Sequence, residues 1–452
     1  MTDLYLHNSA TRRREVFVPI DPAHVRLYLC GPTVYDLAHL GNARTMVVFD
    51  VWVRLLRHLF PRVTYVRNIT DVDDKINARA AESGEPIASI TARTSADFHA
   101  DMAALGNLPP DQEPRATANI AQMITLIERL IANGHAYVAE GHVLFAVGSM
   151  ADYGALSGRS ADELLAGARV EVAPYKRHPG DFVLWKPSEP DLPGWDSPWG
   201  RGRPGWHIEC SAMSWRYLGE NFDLHGGGQD LIFPHHENER AQSLCAFPGS
   251  SFARAWLHAG MLTVDGAKMS KSLGNFTTLR EAMKQHPAEV LRHLLLRTHY
   301  RGNVDYTETA LRESRAELDR FYRALKLHPD STAELPEDVL AALCDDLNTP
   351  LAFAVMHRLA DAALAGDAQA AGGLYHAGLM LGLLRYDPEE WFQGDRDRKT
   401  IDAAIEARLA ARKARDWAEA DRIRAELLSK GIALEDGPAG TTWRVVPPME
   451  TT

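Results

Sequence analysis

The chain has little cysteine for its length and no long apolar run. Its 452 residues include 4 cysteines, which is too sparse a set for a disulfide framework. We therefore expect reduced thiols, each of which is either buried filler or a metal ligand. No apolar run approaches the about 18 residues that span a bilayer, and the polar segment Met1 to Arg14 lacks the apolar core of a signal peptide. These absences predict a cytoplasmic protein with no membrane segment.

Positive charge is scarce as well. The chain has 49 lysines and arginines against 60 aspartates and glutamates, which gives a formal net charge of -11. A nucleic-acid partner usually meets a positive surface, so this average counts against one. Basic and acidic residues nearly balance even in the stretch from Ile401 to Lys430. Composition by itself therefore does not predict RNA binding.

The first seventy residues alternate between strand and helix patterns. Val25–Cys30 and Val63–Ile69 read as strands, and apolar residues spaced by three or four between Val47 and Leu59 predict a helix. Strand, loop, helix and strand open a doubly wound parallel sheet, so the predicted fold class is α/β and Rossmann-like. Ligands bind such sheets at the carboxyl ends of strands, where Cys30 and His39 fall.

Changes in sequence texture divide the chain into five segments, enough for roughly three domains of ordinary size. From His135 to Pro204 the strands are short and proline and glycine are dense, which indicates an inserted subdomain. Beyond Tyr306 helical patterns dominate and predict a bundle. The predicted segments are 1–134, the first half of the Rossmann-like domain; 135–204, the insertion; 205–305, its second half; 306–386, the helical bundle; and 387–452, a linker and a small C-terminal α+β domain.

Several smaller elements are also predicted. Asn221–His225 reads as a strand followed by a glycine turn, and Pro234–Leu244 reads as a helix. Ala255–Val264 reads as one strand, and Asp387–Lys399 has no apolar period and reads as a linker. A short strand is expected at Thr442–Val446.

Four side chains form a metal-ligating pattern. His235 and Glu239 are four positions apart on the predicted helix and share one face. Cys210 lies in a turn-rich stretch, and Cys30 ends a strand at the presumed ligand edge. Two thiolates, an imidazole and a carboxylate suit zinc. Such a His/Glu pair is more often a surface feature, and a lone cysteine is more often core, so spacing alone leaves both interpretations open.

A second pattern suits phosphate. Lys268 and Lys271 lie three positions apart among small hydroxyl residues, an arrangement fit to hold the phosphates of ATP while charge builds on them. His39 lies between a strand and a helix, where backbone N–H groups also favour phosphate. A lone lysine–serine stretch is usually a solvated loop. A triple glycine such as Gly226-Gly227-Gly228 is usually a turn.

Together these motifs resemble those of the class I cysteinyl-tRNA synthetase family. His39-Leu40-Gly41-Asn42 and Lys268-Met269-Ser270-Lys271-Ser272 are similar to the two class I signatures, in the right order. The resemblance runs nearly end to end. It rests further on the motifs at 30–36, 67–71, 205–211, 233–239, 346–350 and 434–438, which read CGPTVYD, RNITD, GWHIECS, FPHHENE, DLNTP and LEDGP.

The resemblance implies a set of site residues. One zinc ion per chain is expected at the amino-acid pocket, held by Cys30, Cys210, His235 and Glu239. The catalytic residues are expected to be His39, Asn42, Lys268 and Lys271, with Lys271 the first choice for the essential charge. Expected to bind substrate or ATP are Gly31, Thr33, Thr70, Trp206, Gly226, Gly227, Gly228, Asp230 and Lys271.

Three of these residues keep an alternative interpretation. Asn42 stands where many class I enzymes have a second histidine, so its expected role is positioning. Thr70 is either a pocket wall or, with Asp73, a helix capping box. Trp206 is either a pocket wall or simple core.

The resemblance also implies the reaction and its partners. Cysteine and ATP, with Mg²⁺, are expected to give cysteinyl-adenylate, and the cysteinyl group then passes to the terminal adenosine of tRNA(Cys). Zinc is expected to select the thiolate of cysteine against the hydroxyl of serine, a distinction that an apolar pocket makes only about a hundredfold. A cysteine ligase acting on an amino sugar, a non-catalytic RNA-binding paralogue and a zinc hydrolase are the alternatives.

RNA contacts are the least readable part of the sequence. Arg12-Arg13-Arg14 is either a phosphate contact or a solvated charge run. The resemblance makes the C-terminal domain the anticodon reader. There Trp417 either stacks on a base or, as we predict, anchors two helices together. A monomer is expected because no spare apolar stripe stands out.

Overall fold

The computed structural model describes residues 3–158, 173–269, 275–393, 398–437 and 440–445. Lys271 and its neighbours Ser270 and Ser272 lie outside the described residues, and so does the prediction made for Lys271. The chain forms two compact units. The first comprises Met1–Ser314, Pro336–Val355 and Met380–Leu383, and the second comprises Arg315–Leu335, Met356–Leu379 and Leu384–Thr452.

The strands and helices are numbered in chain order. The strands are β1 Tyr5–Asn8, β2 Arg13–Val16, β3 Val25–Leu29, β4 Val63–Arg67, β5 Ala136–Ala139, β6 His142–Phe145, β7 Phe182–Pro187, β8 Gly202–Pro204, β9 Asn221–Gly228, β10 Phe252–Ala259, β11 Leu262–Val264, β12 Ala267–Lys268, β13 Val304–Tyr306, β14 Ile432–Gly437 and β15 Gly440–Val445. The helices are α1 Leu40–Leu59, α2 Asp74–Ser83, α3 Ile87–Ala104, α4 Ile120–Ala132, α5 Trp206–Leu218, α6 Glu237–Ala246, α7 Leu279–Gln285, α8 Ala288–Leu296, α9 Glu308–Lys326, α10 Glu337–Cys344, α11 Thr349–Leu364, α12 Ala368–Met380, α13 Pro388–Gln393, α14 Arg398–Lys413 and α15 Trp417–Ser429.

A four-stranded parallel sheet forms the centre of the first unit. Its strand order is β10-β9-β3-β4, and each neighbouring pair runs in parallel. Strand β3 passes through α1 to β4, as the apolar spacing predicts, and its residues Val25, Leu27, Tyr28 and Leu29 are fully buried. The α/β fold with a parallel sheet is therefore confirmed. The carboxyl ends of β3, β9 and β10 lie at one edge, where ligands bind in such sheets.

The segment predicted as an insertion forms a sheet of its own. Strands β5 to β8 make a four-stranded antiparallel sheet in sequence order. Phe145, Leu184 and Trp185 from this sheet are buried in one core with Ile208 and Met213 of α5. This shared core fixes the position of α5, the helix that carries Trp206 and Cys210.

Four element predictions need correction. The strand predicted to end at His225 continues through the three glycines to Gly228. The α-helix predicted from Pro234 begins at Glu237, and the residues Ile232–His236 before it form a π-helical turn that is interrupted at Phe233, whose backbone is extended (φ −139°, ψ 132°). The strand predicted for Ala255–Val264 is two strands, β10 and β11, with Gly260 and Met261 between them.

The fourth correction concerns helix α13. It occupies part of the stretch predicted to be a linker, and it buries Trp391 and Phe392. Trp391 donates a hydrogen bond to Asp319 of α9 (2.8 Å), a tertiary contact that a local apolar period does not reveal.

The second unit contains a small C-terminal domain with its own core. Helices α14 and α15 pack with the antiparallel hairpin β14–β15. Ile405, Ile423, Leu434 and Trp443 are among its buried residues. The bounds predicted for α15 agree with the structure, whereas β14 was missed. Among the residues that the structure describes, no helix combines the length and apolarity required to cross a membrane.

Candidate active site

A cavity of about 390 Å³ opens at the carboxyl edge of the parallel sheet. The turn after β3, the start of α1, the end of β9 and the turn after β10 form its walls. Of the predicted site residues, its lining contains Cys30, Gly31, Thr33, His39, Asn42, Trp206, Gly228, Asp230 and Lys268. The fold thus gathers residues from both predicted signatures around one space.

His39 and Asn42 form a reciprocal cap at the start of α1. His39 Nδ1 accepts hydrogen bonds from the backbone N–H groups of Gly41 (3.1 Å) and Asn42 (3.3 Å), and Asn42 Oδ1 accepts one from His39 N–H (3.2 Å). Because Nδ1 is an acceptor, the proton of the neutral ring is on Nε2, which makes that nitrogen a hydrogen-bond donor. Gly41 is required here, since a Cβ would lie 2.9 Å from the His39 ring.

Lys268 reaches the cavity on a β-hairpin rather than on a loop. Strands β11 and β12 pair antiparallel, with Thr263 opposite Lys268 and Val264 opposite Ala267. Lys268 is exposed and forms part of the cavity lining. Phe276 belongs to the described stretch that resumes at residue 275. Its ring centroid lies 5.6 Å from the centroid of the His39 ring, and the two rings meet edge-on.

The three glycines of β9 differ in what surrounds them. A Cβ on Gly226 would lie 2.1 Å from the Phe49 ring of α1, and one on Gly227 would lie 2.7 Å from the His236 ring. These two glycines are outside the cavity lining and permit close packing beneath it. Gly228 lines the cavity, and a Cβ there would lie 2.4 Å from Asp230 Oδ1.

The four predicted metal ligands converge behind the base of the cavity, and of these four Cys30 forms part of the cavity lining. One ligand atom from each of Cys30, Cys210, His235 and Glu239 lies within 4.8 Å of every other, and all four side chains are buried. The two Sγ atoms are 3.7 Å apart, Cys30 Sγ is 3.4 Å from Glu239 Oε1, and His235 Nε2 is 3.0 Å from the same oxygen. The turn after β3, helix α5, the turn before α6 and α6 itself each supply one of the predicted ligands.

This donor set fits zinc. Two sulfurs at the usual distance of about 2.3 Å from one tetrahedral zinc ion lie about 3.8 Å apart, which is close to the separation found between the two cysteines. Thiolate, imidazole and carboxylate are the donors that zinc takes in proteins. A second set, Cys30, His225, His236 and Glu239, is also close enough to hold a metal ion but has one thiol. The first set is the better match for a thiophilic ion.

Buried histidines surround these ligands. His225 Nε2 donates to Glu239 Oε2 (2.8 Å), so the two carboxylate oxygens have separate partners. His207 Nδ1 lies 2.9 Å from His235 Nδ1, and the Trp206 ring stacks on His235 with centroids 4.2 Å apart. Ligating imidazoles in proteins are usually oriented by a partner at their other nitrogen, which is the position of His207 here.

Burial and neighbouring groups set the proton affinities of this cluster. Burial lowers the pKa of His207 to about 3, so its ring is neutral. Burial alone would raise the pKa of Glu239, yet the imidazoles of His225 and His235 hold it well below its usual range. Burial likewise opposes ionisation of Cys210, but hydrogen bonds with Cys30 and His235 lower its pKa to about 6. A carboxylate and a thiolate are the forms that a metal requires.

Thr70 belongs to a buried hydrogen-bond chain beside the ligands. Gly31 N–H donates to Asn68 Oδ1 (2.8 Å), Asn68 Nδ2 donates to Thr70 Oγ1 (3.2 Å), and the Thr70 hydroxyl donates to Glu209 Oε2 (3.1 Å). The capping-box alternative for Thr70 is wrong, because Asp73 caps α2 by accepting from Lys75 N–H (2.8 Å). Thr70 supports the turn at Gly31 and is outside the cavity lining.

Exposure decides between the alternative interpretations of Trp206 and Trp417. Trp206 is 38% exposed and lines the cavity, so it is not simple core. Trp417 is 59% exposed at the start of α15, so it does not anchor the helices. The anchoring contacts of that domain come from the buried Trp443 instead.

The N-terminal arginine run is partly engaged within the protein. Arg14 lies on β2, where its guanidinium stacks over the Tyr5 ring (4.0 Å) and forms an ion pair with Asp345. This partner is 331 positions away in the chain. Sequence alone therefore gave no signal for it.

Asn68, Glu209, His207 and His225 are functional candidates that we did not predict individually. Each lies within or near a motif that carried the resemblance, and that position was the available signal. What singles them out is hydrogen bonds to predicted site residues, made by side chains that are buried in Asn68, Glu209 and His225 and partly buried in His207.

Comparison with known families identifies three matching regions. Residues 16–316 match the family described as "tRNA synthetases class I (C) catalytic domain". Residues 338–384 match the "DALR domain", and residues 398–444 match the "Cysteinyl-tRNA ligase anticodon binding domain".

Known proteins resemble the chain over nearly its whole length. A cysteine--tRNA ligase of Acidiphilium cryptum is 67% identical, with 98% of this chain and 100% of that protein covered. One of Granulibacter bethesdensis is 66% identical, with 97% and 95% covered. In fold, the chain is similar to Mycobacterium tuberculosis methionyl-tRNA synthetase in complex with methionyl-adenylate, at a TM-score of 0.55, 17% identity, and 79% and 89% coverage.

Proposed function

The chain belongs to the cysteinyl-tRNA synthetase family, and we propose that it activates cysteine with ATP and transfers the cysteinyl group to the 3′-terminal adenosine of tRNA(Cys). The convergence of Cys30, Cys210, His235 and Glu239 at the base of a cavity rimmed by His39 and Lys268 supports this proposal most directly. It joins a sulfur-recognising donor set to phosphate-binding groups in one space.

Amino-acid selection takes place at the base of the cavity. We assign Cys30, Cys210, His235 and Glu239 as the ligands of one zinc ion, which would supply a thiophilic centre that ionises and binds the substrate sulfur. His225 holds Glu239, and His207 holds His235, so the ligand atoms stay aimed at one point. Trp206 closes the side of the pocket. Because sulfur is distinguished from oxygen at the binding step, the antiparallel sheet β5–β8 need not edit mischarged products.

Activation requires that charge on the phosphates be stabilised. A carboxylate oxygen of cysteine attacks the α-phosphorus of ATP, a P–O bond forms, and the bond to the β-phosphate breaks to release pyrophosphate. His39 donates from Nε2, and Lys268 places a positive charge at the cavity rim; Lys271 is proposed to act with it. Asn42 keeps the His39 ring oriented through the cap of α1. Positioning and electrostatics carry such reactions, so a general base is not required.

Nucleotide binding and tRNA binding complete the proposal. Gly31, Thr33 and Gly228 line the space for the substrates, and Asp230 accepts from a ribose hydroxyl. Gly31 also permits the close contact with the Asn68 backbone, and Gly226 and Gly227 permit close packing below the cavity. Mg²⁺ accompanies ATP. A ribose hydroxyl of tRNA then displaces AMP from cysteinyl-adenylate. The C-terminal domain, with exposed Trp417 beside Arg412 and Lys413, is proposed as the anticodon reader. We further propose a monomer that acts in the cytoplasm.

The amino-sugar ligase is the alternative that shares this chemistry. It is not favoured, because residues 398–444 match an anticodon-binding domain and a sugar ligase has no use for one. A non-catalytic paralogue is not favoured either, since His39 and Lys268 both line the cavity.

Pyrophosphate exchange tests the proposal. Each amino acid is supplied with ATP and labelled pyrophosphate, and total tRNA is then added to measure charging. Exchange with cysteine, together with charging of a single tRNA species, is expected. Exchange without charging would support the sugar ligase, and exchange that fails with cysteine but occurs with another amino acid would contradict the proposal. Zinc content of the purified protein, measured in parallel, is expected to be one ion per chain.

A further inference from the structure

The DLNTP motif at 346–350 has no role in the mechanism, yet its backbone is unusual. Asp346 and Leu347 both adopt left-handed conformations, with φ of 53° and 51°. Such conformations are unfavourable for residues other than glycine and persist where surrounding contacts determine them. Asp346 is 3% exposed. The structure therefore holds this carboxylate in a fixed place.

The Asp346 carboxylate joins two distant parts of the first unit. Oδ1 accepts hydrogen bonds from His7 N–H (2.8 Å) and from the Tyr300 hydroxyl (2.8 Å). Oδ2 accepts one from Arg301 Nε (2.9 Å). Thr349 of the same motif donates to the backbone oxygen of Leu296 (2.7 Å). Three of these four hydrogen bonds thus reach the segment 296–301.

That segment in turn supports the cavity wall. Gly260 N–H donates to the Tyr300 backbone oxygen (2.7 Å), and Val304 N–H donates to that of Met261 (3.0 Å). Gly260 and Met261 line the cavity. A Cβ on Gly260 would lie 2.4 Å from the Gly302 oxygen, so the two segments are in close contact and a shift in one moves the other.

The residues that follow this segment set the register of the hairpin that carries Lys268. Strand β13 pairs in parallel with β11, with Leu262 opposite Val304. Asp305 accepts hydrogen bonds from the Thr263 hydroxyl (2.7 Å) and from Gly266 N–H (2.9 Å), the turn residue of the hairpin. Lys268 pairs directly with Thr263. Hydrogen bonds, together with the short backbone stretches between them, therefore connect Asp346 with Lys268.

We propose that Asp346 is a positioning residue for adenylate formation, which acts by holding Tyr300 and Arg301 so that the β11–β12 hairpin keeps Lys268 beside the ATP phosphates. Asp346 is not part of the cavity lining, so it does not act by touching substrate. This inference rests on the role proposed above for Lys268. Displacement of a charged group by about 1 Å is enough to slow a reaction up to a hundredfold.

A thermodynamic cycle tests the inference. Asp346→Asn keeps the size of the side chain and removes the charge that faces Arg301. In ATP–pyrophosphate exchange we expect kcat to fall by about 10-fold or more, with zinc content and KM for cysteine unchanged. In a Lys268→Ala background the same change is expected to cost less than about twofold, because the group that it positions is gone.

Two further variants serve as a control and as a second test of the inference. Asp345→Asn removes a neighbouring carboxylate that is 44% exposed and pairs with Arg14, and we expect it to leave exchange unchanged. Tyr300→Phe deletes one hydroxyl and is expected to lower kcat in the same way, so it carries the test if Asp346→Asn does not fold. Equal losses in the wild-type and Lys268→Ala backgrounds would overturn the inference. Absence of cysteine-dependent exchange in the wild type would instead contradict the proposed function.

Discussion

At the residue scale, Glu239 shows how single oxygen atoms organise this site. Oε1 lies 3.0 Å from His235 Nε2 and 3.4 Å from Cys30 Sγ, and Oε2 accepts from His225. Oε1 therefore faces the other predicted ligands, while Oε2 is held by its hydrogen bond with His225. The i, i+4 spacing in the sequence identified His235 and Glu239. It did not identify His225, because that contact forms between a strand and a helix.

Replacing one thiolate tests the proposed ligand set. In Cys210→Ser a hard hydroxyl takes the place of a soft donor, so we expect zinc content to fall well below one ion per chain. Preference for cysteine over serine is expected to fall toward the about hundredfold limit of a pocket without a metal. Metal analysis and exchange kinetics with both amino acids provide the measurement. Cys245→Ser, a change at another buried cysteine, is the matched control and is expected to retain zinc.

Asn42 permits a sharper test of the helix cap. Asn42→Ala removes the acceptor for His39 N–H, and loss of such a cap costs about 1 kcal/mol in free energy of unfolding. We also expect slower pyrophosphate exchange, because the His39 ring loses its fixed orientation. Asn42→Asp keeps an acceptor and should retain stability. Denaturant unfolding of the three proteins is the measurement, and equal stability of the alanine and aspartate variants would contradict this account.

At the scale of elements, strand β9 was the least predictable part of the sheet. Glycine weakens strands, so three in succession read as a turn. The structure instead continues the strand through Gly228, paired residue by residue with β10. Tertiary packing explains why glycine is needed in this strand, because α1 lies so close that the Phe49 ring occupies the space that a side chain at Gly226 would need. By contrast, α15 was predicted well, since its apolar period and its cap Asp416 are local.

A substitution in β9 should reveal this packing. Gly226→Ala places a Cβ 2.1 Å from the Phe49 ring, and overpacking of this kind costs about 1–3 kcal/mol in free energy of unfolding. Adding Phe49→Leu is expected to recover part of that loss, because the two residues share one space. Gly148→Ala, which meets open space, is the control. Additive losses for the double variant, measured by thermal unfolding, would show that the ring is not the obstacle.

At the scale of the whole molecule, the two compact units use charge differently. The first unit buries charged groups in its interior, among them His235 and Glu239, whereas the C-terminal domain holds its hairpin to α14 by an ion pair near the surface. Arg408 binds both carboxylate oxygens of Asp436, at 2.9 and 2.8 Å. Asp436 belongs to the LEDGP motif at 434–438, and Leu434 of that motif lies in the domain core. The motif therefore has a structural role within its domain.

This ion pair predicts a dependence of stability on pH. Hydrogen bonds from Arg408 and Thr441 hold the pKa of Asp436 well below its usual range. Because the pKa is lower in the folded state, the pair stabilises the domain above the unfolded pKa of about 3.9, and this contribution is lost progressively as pH falls below that value. Asp436→Asn should therefore speed amide exchange in α14 and α15 at pH 7.

Measurements of amide exchange at several pH values test whether the ion pair loses its stabilising effect in acid. The difference in protection between the wild type and Asp436→Asn is expected to narrow from pH 5 toward pH 3. Asp402→Asn makes the same charge change at an exposed position of α14 and should have little effect at any pH. A difference that widens in acid would contradict the assignment.

The sequence by itself was enough to predict the family and the α/β class, both of which are confirmed, because these depend on local periods and on motifs whose residue types are chemically specific. The same motifs predicted the four metal ligands and the residues that carry charge toward phosphate. Only the tertiary structure decided how those residues are held: the histidines behind Glu239 and His235, the glycines beneath the cavity, and the contacts of Asp346. Each of these depends on atoms brought together from distant parts of the chain, and close packing between elements, rather than any local pattern, fixes their positions.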